Sequence, residues 1–141
     1  MFIRLAISDE EILATYPVMH QLRPHLEEGS YVQRIRKLQQ SGGYRLLTLQ
    51  ENGQPRACAG YRVCDSLAWG TFIYVDDLIT DQDSRGKCHA QQLFDWLERE
   101  AARLGCDALH LDSGVQRFDA HRFYLNQRMN ITCHHFEKRY E

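Results

Sequence analysis

The stretch from Tyr74 to Leu97, YVDDLITDQDSRGKCHAQQLFDWL, restricts the fold of this chain more than any other. An apolar strand carrying two adjacent acids, Asp76 and Asp77, runs into a polar loop that holds Arg85, Gly86 and Lys87. A helix follows, from about Lys87 to Leu104, with Ala90, Leu93, Phe94, Leu97, Ala101 and Leu104 at spacings of three and four. Ala108 to Asp112 then reads as a short buried strand, so this strand–helix–strand unit implies a parallel, right-handed crossover. A glycine-containing turn between a strand and a helix start also makes an anion site. The first-turn N–H groups have no intrahelical acceptor, and the helix dipole favours negative charge there.

The rest of the chain supplies layers around that unit. Phe2 to Ile7 reads as a first strand. Ser8, three residues before Glu11, forms a capping-box signature opening a helix to about Leu22, which Pro17 should kink or divide. A second helix, from about Glu28 to Gln40, stops at Ser41-Gly42-Gly43. Tyr44 to Gln50, Pro55 to Cys64 and Trp69 to Ile79 read as three strands; Glu51-Asn52-Gly53-Gln54 is a hairpin signal and Asp65-Ser66 a second turn. Short turns between consecutive strands imply an antiparallel meander. A helix from Phe118 to Gln127 and a closing strand from Asn130 to Arg139 complete the order β-α-α-β-β-β-α-β-α-β. The fold class expected is therefore mixed α/β: a mostly antiparallel sheet containing one parallel pair, flanked by helices, in one domain over residues 1–141.

Composition narrows the function classes. At 43% hydrophobic and 26% charged, 141 residues suffice for one core. A net charge of −2 offers no basic field for nucleic acid. The N-terminus, MFIRLAISDEE, has no apolar run of signal-peptide length, and no segment is apolar enough to span a membrane, so the cytoplasm is expected. Five cysteines (Cys58, Cys64, Cys88, Cys106 and Cys133) without a C-x-x-C pair suggest buried thiols rather than a disulfide framework or zinc ribbon. His134 and His135 would point to opposite faces of a strand, and no metal-binding spacing appears among the seven histidines, so no metal is expected.

Asp76-Asp77-Leu78, followed by Arg85-Gly86-Lys87-Cys88-His89-Ala90, resembles the acetyl-CoA-binding core of the GNAT N-acetyltransferases. That family's loop reads Arg/Gln-x-x-Gly-x-Gly/Ala; Arg85 and Ala90 match, while Cys88 stands where the inner glycine is expected. The spacing from acid pair to arginine is similar to the polyamine acetyltransferase branch. Ala120-His121-Arg122-Phe123-Tyr124 is similar to the family's Ala-x-x-x-Tyr helix. The resemblance implies the GNAT fold, with a splayed gap for the thioester between the strand ending at Ile79 and the strand at Leu109. It implies acetyl transfer from acetyl-CoA to a primary amine by direct attack. Arg85, Gly86, Lys87, Cys88, His89 and Ala90 would cradle the pyrophosphate. The backbone at Leu78, Ile79 and Thr80 would contact the thioester and pantetheine. Asp76 would be the base and Tyr124 the acid that returns a proton to the thiolate. Departures from the family pattern stand at Arg117 and Arg128.

The residue chemistry is consistent with those roles. An ammonium must lose a proton before it can attack, and a carboxylate, directly or through a water, can take it. Neighbouring strand residues face opposite sides, which predicts separate roles for Asp76 and Asp77. Asp77 and Tyr31 are candidates for binding the acceptor, and the acid pair leans toward a cationic small molecule, with a peptide amine still open. A homodimer is also open. Cys88, a thiol at a helix N-terminus beside Arg85 and Lys87, is a candidate for oxidation or for a mixed disulfide with coenzyme A. Two rivals remain: a coenzyme-A-binding regulatory module of the same fold, and an unrelated nucleotide-phosphate binder, which would lack the Gly-Lys-Ser/Thr ending of a P-loop.

Overall fold

A computed structural model describes residues 1–141. In order, the elements are β1 (Phe2–Leu5), α1 (Asp9–Ala14), α2 (Tyr16–Leu22), α3 (Glu28–Gly42), β2 (Arg45–Glu51), β3 (Gln54–Ser66), β4 (Gly70–Thr80), α4 (His89–Arg103), β5 (Ala108–Leu111) and α5 (Phe118–Asn126). A single 3-10 turn, Gln82–Ser84, sits between β4 and α4. The strands form one sheet in the order β1-β2-β3-β4-β5, antiparallel from β1 through β4, with β5 parallel to β4. This is the mixed, mostly antiparallel α/β sheet expected from the strand and helix periods.

Local chemistry accounts for the boundaries. Ser8 Oγ accepts from the Glu11 N–H while Glu11 Oε1 accepts from the Ser8 N–H, closing the capping box that starts α1. Pro17 does divide the N-terminal helix: α1 ends at Ala14, and the proline occupies the first turn of α2, where its missing N–H costs nothing. Gly43, at φ 70°, ends α3 in the left-handed conformation. Asn52 and Gly53, both at positive φ, turn β2 into β3.

The chain divides into two compact units, Met1–His110 and Leu111–Glu141. In the first, α1, α2 and α3 pack on one face of the sheet. Ile12, Val18, Met19, Tyr31, Ile35, Tyr44, Leu46, Cys58 and Ile79 form the core there. Leu93, Phe94 and Leu97 of α4 are buried, and the Trp96 ring meets that of Tyr61. In the second unit, α5 is followed by a segment without regular structure. The expected closing strand, Asn130 to Arg139, is absent from the sheet, and Ile131 and Phe136 are exposed. Apolar alternation alone does not make a strand, because a strand also needs a ladder partner for its N–H and C=O groups.

Candidate active site

The two acids lie at an irregularity that the sequence does not advertise. Gly60 of β3 pairs with Asp77, yet the next residue, Tyr61, pairs with Val75, so Asp76 is an extra residue without a register partner. A β-bulge resets the alternation of side chains. As a result, both carboxylates face the α1–α3 side: Asp77 shares that face with the core residue Ile79, two positions on. Asp76 meets Arg62, whose side chain passes the end of α3 at Gly42. The expectation of opposite faces holds for a regular strand and fails at this bulge.

Each carboxylate has its own cation. Asp76 accepts from Arg62 through both oxygens, at 2.8 and 2.9 Å. Asp77 accepts from Arg23 Nε at 3.0 Å and from the Tyr44 hydroxyl at 2.8 Å. Arg23 also donates to the backbone carbonyl of Asp76 at 3.0 Å, satisfying an acceptor at the bulged residue. Burial, with the neighbouring Asp77 charge, pushes the Tyr44 phenol well above its ordinary range, so it remains a hydrogen-bond donor.

Tyr31 lines the same cavity but has little hydroxyl left to offer. The Thr15 hydroxyl donates to the Ile12 carbonyl, so Tyr31 donates to Thr15 Oγ1 at 2.7 Å, and only the Tyr31 ring remains as a wall. The cavity measures about 300 Å³; Arg23, His25, Arg34 and Asp77 line it together with apolar side chains.

The loop after β4 has the features of an anion cradle. Asp81 leads it, held by Gln21 of α2, whose amide donates to Asp81 Oδ1 at 2.8 Å and accepts from the Gln82 N–H at 2.9 Å. Arg85, Gly86, Lys87 and Cys88 are exposed, and Arg85 has no acid partner. Gly86 sits at φ 85° with open space around a would-be Cβ. Lys87 and the buried His89 stand 3.9 and 3.8 Å from Glu51, and His89 Nδ1 has no partner. No side chain caps α4, so the N–H groups of its first turn, including His89 and Ala90, remain available.

Cys88 departs from expectation. It is not the second residue of a helix starting at Lys87 but the N-cap of a helix starting at His89, at φ 62° and ψ 24°. This is the left-handed conformation that glycine adopts freely and that other L-residues adopt at a cost. Cys88 therefore stands in a backbone conformation that a glycine would take without strain.

Leu78, Ile79 and Thr80 pair with Ala59, Cys58 and Ala57 of β3 and lead directly into the loop. Tyr124 lies in the second unit, on α5, with its ring 5.6 Å from that of Phe123. Burial raises its phenol above the ordinary value, against an opposing effect of Arg117. No three side chains of His, Cys, Asp or Glu gather as a metal site.

Sequence reasoning missed Arg23, Tyr44 and Arg62, since the first two lie 54 and 33 residues from the acid that they hold. One signal was present: Gly60, a glycine inside a strand, marks a close approach by another group. That group is the Tyr44 ring.

The profile of the Acetyltransferase (GNAT) family matches residues 9–129. An uncharacterized N-acetyltransferase of Bacillus subtilis, YhdJ, is 36% identical over 125 residues, covering 89% of this chain and 87% of the relative. The aminoalkylphosphonate N-acetyltransferase of Salmonella typhimurium is 33% identical over 64 residues, 45% of this chain and 42% of that one. Among solved structures, the aminoglycoside N-acetyltransferase AAC(6')-Iy in complex with CoA superposes with a TM-score of 0.83 at 14% identity, covering 99% of this chain and 93% of that one. With the loop and sheet described above, these matches place the chain in the GNAT family of acetyl-CoA-dependent N-acetyltransferases.

Proposed function

We propose that this chain, as a single catalytic domain over residues 1–141, moves the acetyl group of acetyl-CoA to the primary amine of a small molecule by direct attack. The observation that carries the reading is the junction of β4 and α4. A strand with two carboxylates on one face leads into a loop with an unpaired arginine, a positive-φ glycine and an uncapped helix start. The family profile spans both compact units, which supports one functional domain. Two similar proteins are named for small amine acceptors, an aminoalkylphosphonate and an aminoglycoside, which supports a small molecule, while a third is named for a ribosomal-protein alanine.

In this reading, Arg85, Lys87 and the N–H groups from Gly86 to Ala90 hold the pyrophosphate of coenzyme A. Positive backbone dipoles and a guanidinium suit that dianion. The backbone at Leu78, Ile79 and Thr80 lies along the pantetheine arm and steadies the thioester carbonyl as negative charge develops on it. The acceptor lies on the face shared by Asp76 and Asp77. Both Asp76 oxygens already accept from Arg62, so the ammonium proton passes to the remaining lone pairs through a water. The amine lone pair then attacks the carbonyl carbon, the C–S bond breaks, and Tyr124 donates its proton to the thiolate. The second proton lost by the amide nitrogen returns through water to the Tyr124 phenolate. No acyl-enzyme intermediate forms. No helix is long and apolar enough to cross a membrane.

Coenzyme A should raise the melting temperature by binding only the folded state, and Gly86→Asp should abolish that rise. In a thiol-release assay over amine classes, Asp76→Asn should lower turnover on the order of 10²-fold. Coenzyme A binding with no turnover of any amine would instead favour a regulatory coenzyme-A-binding module.

A further inference from the structure

The charges around the acceptor cavity identify a class of acceptor. Its single carboxylate, Asp77, is already matched by Arg23 and by the Tyr44 hydroxyl. Arg34 of α3 and His25 line the same cavity from its exposed side, and no acid faces either of them. The cavity therefore carries an excess positive charge at its mouth and a carboxylate at its β4 end, with Met19, Leu26 and Ile35 between. A purely cationic acceptor such as a polyamine would bring like charge to Arg34. A molecule with an amine at one end and an oxyanion at the other would satisfy both ends, with an alkyl spacer along the apolar wall. A guanidinium without a partner, facing a cavity of small-molecule size, is a ready receptor for a carboxylate or a phosphonate.

We infer that the acceptor is a small zwitterionic amine, whose carboxylate or phosphonate is bound by Arg34 with His25 while its amine lies toward Asp77 and Asp76. This rests on the acetyl-transfer reading for the amine end, and it adds the anion-binding end. Arg23 takes no direct part, since it is spent on Asp77 and on the bulge carbonyl.

The test uses four probes of similar length: aminoethylphosphonate, beta-alanine, propylamine and putrescine. Binding to the full chain saturated with coenzyme A is measured by calorimetry, and acetylation is followed separately by thiol release. Either anionic amine should bind, and be acetylated with a kcat/KM, roughly 10- to 100-fold better than propylamine, the size expected of a charge-assisted hydrogen bond. Putrescine should be the weakest of the four. Phosphonate against carboxylate decides which oxyanion the site prefers. Arg34→Glu should reverse the order, placing putrescine first, with the change in KM rather than kcat; a variant that merely misfolds would lose all four together and its coenzyme A thermal shift. Should Arg34→Glu fail to fold, Arg34→Gln should bring the anionic amines down to the level of propylamine. Acetylation of propylamine or putrescine at rates equal to the anionic amines would overturn the inference while leaving acetyl transfer standing. Binding of the anionic amines without acetylation would overturn the transfer reading and keep the anion site.

Discussion

Replacing Gly60 by alanine tests the packing that sets the acid face. A Cβ built on Gly60 would lie 1.7 Å from the Tyr44 hydroxyl oxygen, 2.2 Å from Cζ and 2.5 Å from Cε2. Carbon atoms pack at about 3.5–4.0 Å, so the ring has to move by roughly 1.5 Å. Tyr44 is only 4% exposed, and the space around it is occupied by the core beneath α3. Moving the ring also withdraws its hydroxyl from Asp77, 2.8 Å away. Overpacking costs about 1–3 kcal/mol, and losing a hydrogen bond to a charged acceptor about 1.5–3 kcal/mol. Since one displacement causes both losses, about 3 kcal/mol in total is expected, or ~10 °C in Tm for a chain of this size. Thermal melts followed by circular dichroism should show this for Gly60→Ala. In a Tyr44→Phe background the cost should largely persist, because Cζ and Cε2 remain in the way. In a Tyr44→Ala background it should nearly vanish, because the three nearest atoms all belong to Tyr44. A Gly60→Ala protein that melts within about 1 °C of wild type would refute the close approach, where a neutral change is otherwise expected only away from packed sites.

Three further outcomes follow from the same structure. Cys88→Gly should raise Tm by a few degrees, since it relieves a left-handed non-glycine residue worth ~1 kcal/mol, and it should tighten coenzyme A binding; Cys88→Ala keeps the strain and should do neither, and a fall in Tm for the glycine variant would contradict the N-cap geometry. Burial raises Cys58, Tyr31 and Tyr44 above ordinary values of 9.0, 10.0 and 10.0, so their protonated forms lend stability that is complete below those values and lost as pH rises beyond them toward the folded ones. Cys58→Ala should remove the earliest part of that alkaline loss, ~1 kcal/mol between pH 9 and 10, and parallel pH–Tm curves for the two proteins would count against it. Tyr124→Phe should lower kcat on the order of 10²-fold with little change in coenzyme A affinity. Because burial raises the Tyr124 phenol, its ionisation should limit wild-type kcat only at a higher pH than an ordinary phenol would, and near-normal turnover in the phenylalanine variant would return Tyr124 to a packing role.

What the sequence disclosed was local. The Ser8–Glu11 box, the Asn52-Gly53 turn and the junction of β4 with α4 are each written within a few consecutive residues, so periodicity and turn chemistry sufficed to find them. The partners of the acids are not written that way. Arg23 reaches Asp77 from the end of α2, and Arg62 reaches Asp76 from the adjacent strand. Their pairing depends on a bulge that no pattern of apolar residues encodes. Cys88 reads as a first-turn helical residue because cysteine carries no signal for positive φ, and only the backbone reveals its left-handed conformation. Asn130 to Arg139 has the alternation of a strand without a ladder partner, a condition that lies outside its own sequence.

The most direct test of acetyl transfer at this face is mass spectrometry of an amine incubated with acetyl-CoA carrying an isotopically labelled acetyl group. The protein should yield a labelled amide in step with free coenzyme A, should itself gain no label when the amine is left out, and should form the amide on the order of 10²-fold more slowly in Asp76→Asn. A labelled protein without amine, or coenzyme A release with the amine unlabelled, would contradict direct transfer.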